Sequence, residues 1–172
     1  DSLAPKLRQF RSHDIERTPD RGAWAYQISE LGFNYRMTDI QAALGLSQLT
    51  KLDTFIQRRN ELADRYRAML ASLPVVLPPE APQGFTHGYH LFAVRVRDRE
   101  RVFNGLRSAG IGVQVHYVPI HHHPISVDIG VGPGDLPACD EAYERLISLP
   151  MFPDLTEAEQ DRVVAVLASL VK

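Results

Sequence analysis

The sequence predicts an α+β module preceded by a long helix, and three observations carry that prediction. Residues 38–72 place apolar side chains at helical spacing, a proline-dense stretch (Pro74, Pro78, Pro79, Pro82) ends that pattern, and beyond it short alternating runs exchange with capped helical segments. Two or three antiparallel strands with helices on one face bury such runs best.

The chain has 172 residues, 44% of them hydrophobic, enough for one ordinary domain or for a small domain with an extension. Its formal net charge is −2, with Lys and Arg scattered, which excludes nucleic acid and an anionic membrane as the main partner. No stretch is apolar for long enough to span a bilayer. The single cysteine, Cys139, excludes an intramolecular disulfide and fits a reducing compartment, so the expected location is cytoplasmic. Cys139 stands at helical spacing from Ala142, Tyr143, Leu146 and Ile147, which predicts a packed rather than a reactive thiol.

In chain order, Leu3, Leu7 and Phe10 mark the end of an amphipathic helix, and the chain reads as beginning inside a larger domain. From Ser12 to Tyr35 no periodicity is sustained, and Pro19 and Gly22 act as breakers, so a loop is expected. Thr38 followed by Gln41 is a capping box that starts a helix. Residues 38–73 then form one helix, or two nearly collinear ones, about 50 Å long, suited to joining domains or subunits. Residues 74–86 are read as a linker and 87–172 as a small domain, because proline cannot continue a helix.

Within the small domain, Leu91–Arg97 alternates as a half-buried strand, Asp98 caps a helix carrying Val102, Phe103 and Leu106, and Gly110 ends it. A second strand is expected from Ile111 to Tyr117, with Ile111, Val113, Val115 and Tyr117 on one face. A loop runs to Gly134. Helices follow at Pro137–Ser148, capped by Asp135, and at Glu157–Val171, opened by the capping box Thr156/Glu159. Leu149–Pro153 between them allows only a short edge strand or a bend.

Two clusters carry chemistry. Asn34 and Arg36 precede the helix start at Thr38, and an amide, a guanidinium and a helix N-terminus together suit an anion. The second cluster, His116-Tyr117-Val118-Pro119-Ile120-His121-His122-His123-Pro124, invites a metal reading, perhaps completed by Asp128. Against it, consecutive side chains in extended backbone point in opposite directions, so no metal site is expected. His13, His87 and His90 carry no assignment, and isolated acids such as Asp39 and Asp128 read as caps and solvated groups. Nucleophile-elbow, Gly-rich phosphate-loop and Cys-x-x-Cys signatures are absent from the sequence.

The run Leu31-Gly32-Phe33-Asn34-Tyr35-Arg36-Met37-Thr38-Asp39-Ile40-Gln41-Ala42-Ala43-Leu44-Gly45 resembles a hallmark of the DegT/DnrJ/EryC1/StrS family of sugar aminotransferases. Arg11-Ser12-His13, Trp24-Ala25-Tyr26, Ser47-Gln48-Leu49, Arg58-Arg59-Asn60, Tyr89-His90-Leu91-Phe92, His116 through His121 and Ser148 through Pro153 follow in the family's order. Within the family the pattern is most similar to transaminases that place the 4-amino group on a UDP-linked 4-keto-6-deoxy-N-acetylhexosamine, on the route to pseudaminic-acid-type sugars.

The resemblance implies the C-terminal half of a fold-type I enzyme that uses pyridoxal 5'-phosphate, takes its amino group from an amino acid (glutamate) and works as a homodimer with shared active sites. Residues 1–37 would then belong to a large α/β domain absent from this chain. Asn34 matches the position that holds the cofactor phosphate in the neighbouring subunit, and Arg36 one beside it. His116, Tyr117 and His121 match a region lining the nucleotide-sugar pocket. The cofactor-anchoring lysine has no match here. Lys6, Lys51 and Lys172 are all expected to be exposed, so the chain alone should not transaminate. Two other functions fit the residues: a sugar dehydratase of the same family, with histidine replacing the lysine, and a non-catalytic oligomerisation or binding module.

Overall fold

A computed structural model describes residues 3–127 and 130–171, and divides the chain into two compact units, Asp1–Lys51 and Leu52–Lys172. Asp128 and Lys172, named above, lie outside the described residues.

In the first unit, helix α1 (Leu3–Phe10) leads into strands β1 (Ile15–Arg17) and β2 (Tyr26–Ile28), which pair antiparallel with Ile15 opposite Ile28. The stretch expected to be a loop is therefore a hairpin. Its strands are three residues long and exposed throughout, so they carry no alternation of burial to read. Helix α2 (Asp39–Leu49) starts as predicted: Thr38 Oγ1 accepts from the Gln41 amide, and Gln41 Oε1 accepts from the Thr38 amide at 3.0 Å. Among the described residues α2 buries none of its side chains, leaving Ile40, Leu44, Leu46 and Leu49 exposed.

The helical stretch expected over 38–73 is two helices, because Thr50 and Lys51 separate α2 from α3 (Leu52–Leu70). Helix α3 opens the second unit. It is followed by β3 (Phe92–Arg95), α4 (Arg99–Ser108), α5 (Pro124–Val127), α6 (Pro137–Arg145), β4 (Leu146–Leu149) and α7 (Glu157–Leu170). Strands β3 and β4 pair antiparallel with Phe92 opposite Leu149, and Phe92, Val94, Ile147 and Leu149 are all buried. Against them lie Leu62, Tyr66 and Leu70 of α3, Val102 and Leu106 of α4, and Val163 and Leu167 of α7.

Asp98 accepts from the Arg101 amide at the start of α4, and Gly110 takes φ +75 beyond its end. Thr156 and Glu159 form the capping box of α7. The proline-rich 74–86 stretch is more than a connector: Val76 bridges Arg95, and Val75 and Leu77 pack on the core.

Several expectations are corrected. The strand over Ile111–Tyr117 is reduced to one bridge, in which Gln114 and Ser148 exchange main-chain hydrogen bonds at 2.8 and 3.4 Å and no flanking residue continues the ladder. Ile111 and Val113 are buried as the alternation requires, but Tyr117 is 69% exposed. Helix α6 stops at Arg145 because Leu146–Leu149 pairs with β3, so strand pairing overrides the helical spacing there. Asp135 accepts from the Gly132 amide instead of capping α6. Cys139 is exposed: Leu146 and Ile147, which defined its supposed apolar face, belong to β4.

Candidate active site

The segment carrying Asn34 is held against the end of α1. Phe33 donates its amide to Phe10 O at 2.8 Å, His13 donates to Phe33 O at 2.9 Å, and Tyr35 donates to Arg11 O at 2.9 Å, with Ser12 and Asn34 bridged. Gly32 makes that approach feasible, since a Cβ there would fall on the backbone of His13 and Asp14. His13 and Asp14 themselves have φ of 63 and 55, a left-handed turn. The turn is closed by the buried Asp14, whose Oδ2 accepts from the amides of Glu30 at 2.7 Å and Ser29 at 3.2 Å. Phe33 stacks on Tyr35 with ring centroids 4.9 Å apart.

On this frame Arg36 Nε donates to Asn34 Oδ1 at 2.7 Å. The amide nitrogen of Asn34 and the terminal nitrogens of Arg36 make no other side-chain bond among the described residues, and both side chains are exposed. The result is a cluster of donors immediately before the N-terminus of α2, a fit for a phosphate.

The second set of residues lies in the other unit. His116 Nδ1 is 2.9 Å from Ser148 Oγ, which ties the ring to buried β4, and Tyr117 stands edge-on to it with centroids 4.7 Å apart. Tyr117 is thus the exposed member of the pair. His121 is 2% exposed, and its Nε2 is 2.6 Å from Asp140 Oδ1. His122 Nε2 is 2.6 Å from the same oxygen.

The adjacent histidines therefore converge on one oxygen, contrary to the divergence expected of extended backbone. Ile120–His122 is a turn of 3-10 helix, in which neighbours are about 120° apart rather than opposed. The two imidazoles, His122 first and then His121, hold the Asp140 carboxyl down at about 2. Asp140 was missed because it lies 19 residues from His121, on a helix with no motif of its own.

The chain is similar to known proteins in sequence and fold. The chain is 31% identical to the spore coat polysaccharide biosynthesis protein SpsC of Bacillus subtilis over all of its own length and 48% of that protein's. It superposes on S. venezuelae DesV, solved in complex with a ketimine intermediate, with TM-score 0.86 and 31% identity, covering 99% of this chain and 44% of that one. Helicobacter pylori PseC, an aminotransferase involved in the biosynthesis of pseudoaminic acid, gives TM-score 0.81 at 25% identity, covering 99% of this chain and 46% of that one. The chain thus spans about half the length of the relatives it matches. Residues 1–168 match the sequence profile of the DegT/DnrJ/EryC1/StrS aminotransferase family, and the chain belongs to that family.

Proposed function

We propose that this chain acts as part of a pyridoxal-phosphate-dependent nucleotide-sugar aminotransferase that moves an amino group from glutamate to a UDP-linked 4-keto-6-deoxy-N-acetylhexosamine. The observation that carries the reading is the Asn34–Arg36 donor pair before the capped start of α2, in a chain of this family. The PseC likeness supports the choice of sugar class.

In this reading Asn34 and Arg36 bind the cofactor phosphate of a neighbouring subunit. The cofactor, when bound, supplies the electron sink for the transfer. The chain's own part is to orient and neutralise. The Asn34 amide is the neutral donor and the Arg36 guanidinium the charged one, and both work best where the assembled site excludes water. His116 and Tyr117 face the nucleotide sugar, and His121 serves by anchoring their loop to Asp140. The apolar face of α2 is covered in a cytoplasmic homodimer, which fits Ile40 at 83% and Leu44 at 63% exposure.

The described lysines, Lys6 and Lys51, are exposed, and in this reading neither of them carries the cofactor. Purified full-length protein should show a cofactor absorbance that borohydride fixes covalently, and should aminate the keto-sugar with glutamate as donor. A full-length protein that binds the cofactor but is not trapped by borohydride, and that dehydrates rather than aminates, overturns the proposal.

A further inference from the structure

We propose that His121, His122 and Asp140 form a binding site for a divalent transition metal, with zinc as the ion. The donor atoms of the three side chains lie within 4.8 Å of one another. Two neutral imidazoles and one carboxylate are a donor set that suits zinc, and three protein ligands leave a fourth position for water.

The geometry is built rather than incidental. The two imidazole rings stand at 88° with centroids 4.6 Å apart, so their Nε2 atoms approach Asp140 Oδ1 from different directions. Asp140 Oδ2 is occupied by the Gly134 amide at 2.8 Å, which fixes the carboxylate plane and turns Oδ1 toward the histidines. Ligating carboxylates are commonly held this way from behind. The turn that presents the rings is itself pinned: His122 N donates to Pro119 O, His123 N to Ile120 O, and Ser126 Oγ to Ile120 O at 2.7 Å.

Zinc–nitrogen and zinc–oxygen bonds of about 2.0–2.2 Å place neighbouring ligand atoms about 3.3 Å apart in a tetrahedron. The present 2.6 Å separations from Oδ1 therefore need to open by about 0.7 Å each, within reach of side-chain rotation. His122 and Asp140, 23% and 18% exposed, give the ion a path to solvent, while His121 at 2% forms the closed back of the site. Ligation uses the Nε2 lone pairs, so each ring carries its proton on Nδ1 in the loaded form. The ion would staple the 120–122 turn to α6. The competing arrangement is the same cluster held by hydrogen bonds alone.

The test is titration of untagged full-length protein with Co²⁺ as a spectroscopic stand-in, followed by displacement with Zn²⁺. Wild-type protein should develop the intense visible d–d absorption of a tetrahedral site at one equivalent, and Zn²⁺ should abolish it and raise the melting temperature. His122→Ala and Asp140→Asn should each weaken binding about tenfold or more, whereas His123→Ala should leave it unchanged. Wild-type titration is decisive even if a variant fails to fold. Absence of the band in folded wild-type protein at millimolar Co²⁺ overturns the proposal, as does a band that survives both substitutions.

Discussion

Arg36 Nε donates to Asn34 Oδ1 at 2.7 Å, and this one bond decides which end of the amide faces outward. An arginine Nε–H needs an acceptor, so the oxygen turns inward and the NH₂ is left to donate to an anion. In the proposed binding of a phosphate, Arg36 would therefore act twice, as a donor in its own right and as the group that orients Asn34. In full-length protein Arg36→Ala and Asn34→Ala should each raise the cofactor dissociation constant about tenfold or more, since hydrogen bonds to charged groups contribute about 1.5–3 kcal/mol. The double variant should lose less than the sum of the two, because neighbours in one network couple. Strict additivity in cofactor titrations counts against the orienting role.

Gly32→Ala should loosen the same segment without touching a ligand. The added methyl meets main-chain atoms of His13 and Asp14, which cannot rotate away as a side chain can. Overpacking of this kind costs about 1–3 kcal/mol. Hydrogen exchange at the His13 and Phe33 amides, which bond across this approach, should accelerate in the variant. Unchanged exchange at both would show that the strands separate at no cost.

The capping box of α7 sets a pH dependence. Glu159 Oε2 accepts from the Thr156 amide and then from the Thr156 hydroxyl, each at 2.8 Å, and these bonds hold its carboxyl below the usual glutamate value. A carboxyl depressed by folding contributes stability in full above its unfolded pKa of about 4.3, and loses it as pH falls through the lower folded value. Between about pH 5 and 3 the melting temperature of wild-type protein should thus fall more steeply than that of Glu159→Gln. Thr156→Ala should cost ~1 kcal/mol at neutral pH. Parallel melting curves for wild type and Glu159→Gln would place the carboxylate outside the cap.

What was legible in the sequence was local. Thr38 with Gln41, Thr156 with Glu159, Asp98 with the Arg101 amide, and Gly110 each complete their chemistry within three residues or one backbone angle, so a single sequence contains the whole device. The alternation of Phe92, Val94 and Val96 was equally readable because one face of β3 is buried. What failed depends on partners far along the chain. Strand β4 exists because β3 is there to pair with it, and the first hairpin has neither length nor burial to announce it. The sequence offers Asn34 and Arg36 as candidates for binding an anion, but the features that hold the segment, Asp14 and the close approach at Gly32, carry no periodic signal. His121 and His122 converge because of a 3-10 turn that an extended reading of the same residues excluded.

Arg59 shows the same non-local logic at a position where the sequence offers only a charged helix residue. Its Nη1 lies 2.9 Å from Tyr89 O, 2.9 Å from Met151 O and 3.4 Å from His90 O, so one guanidinium ties α3 to the approach to β3 and to the segment after β4. Tyr89 and Met151 are buried, and a carbonyl stranded there by Arg59→Ala costs about 1–3 kcal/mol. With two carbonyls affected, the loss should be on the order of 3 kcal/mol. Arg59→Lys should recover less than half of it, because an ammonium on a flexible stem is not pre-organised as the planar guanidinium is. Native-state hydrogen exchange at the β3 and β4 amides measures this directly: protection should fall most in Arg59→Ala and partially in Arg59→Lys. Protection in Arg59→Lys equal to wild type would mean that charge near α3, rather than the placement of the guanidinium, holds these segments together.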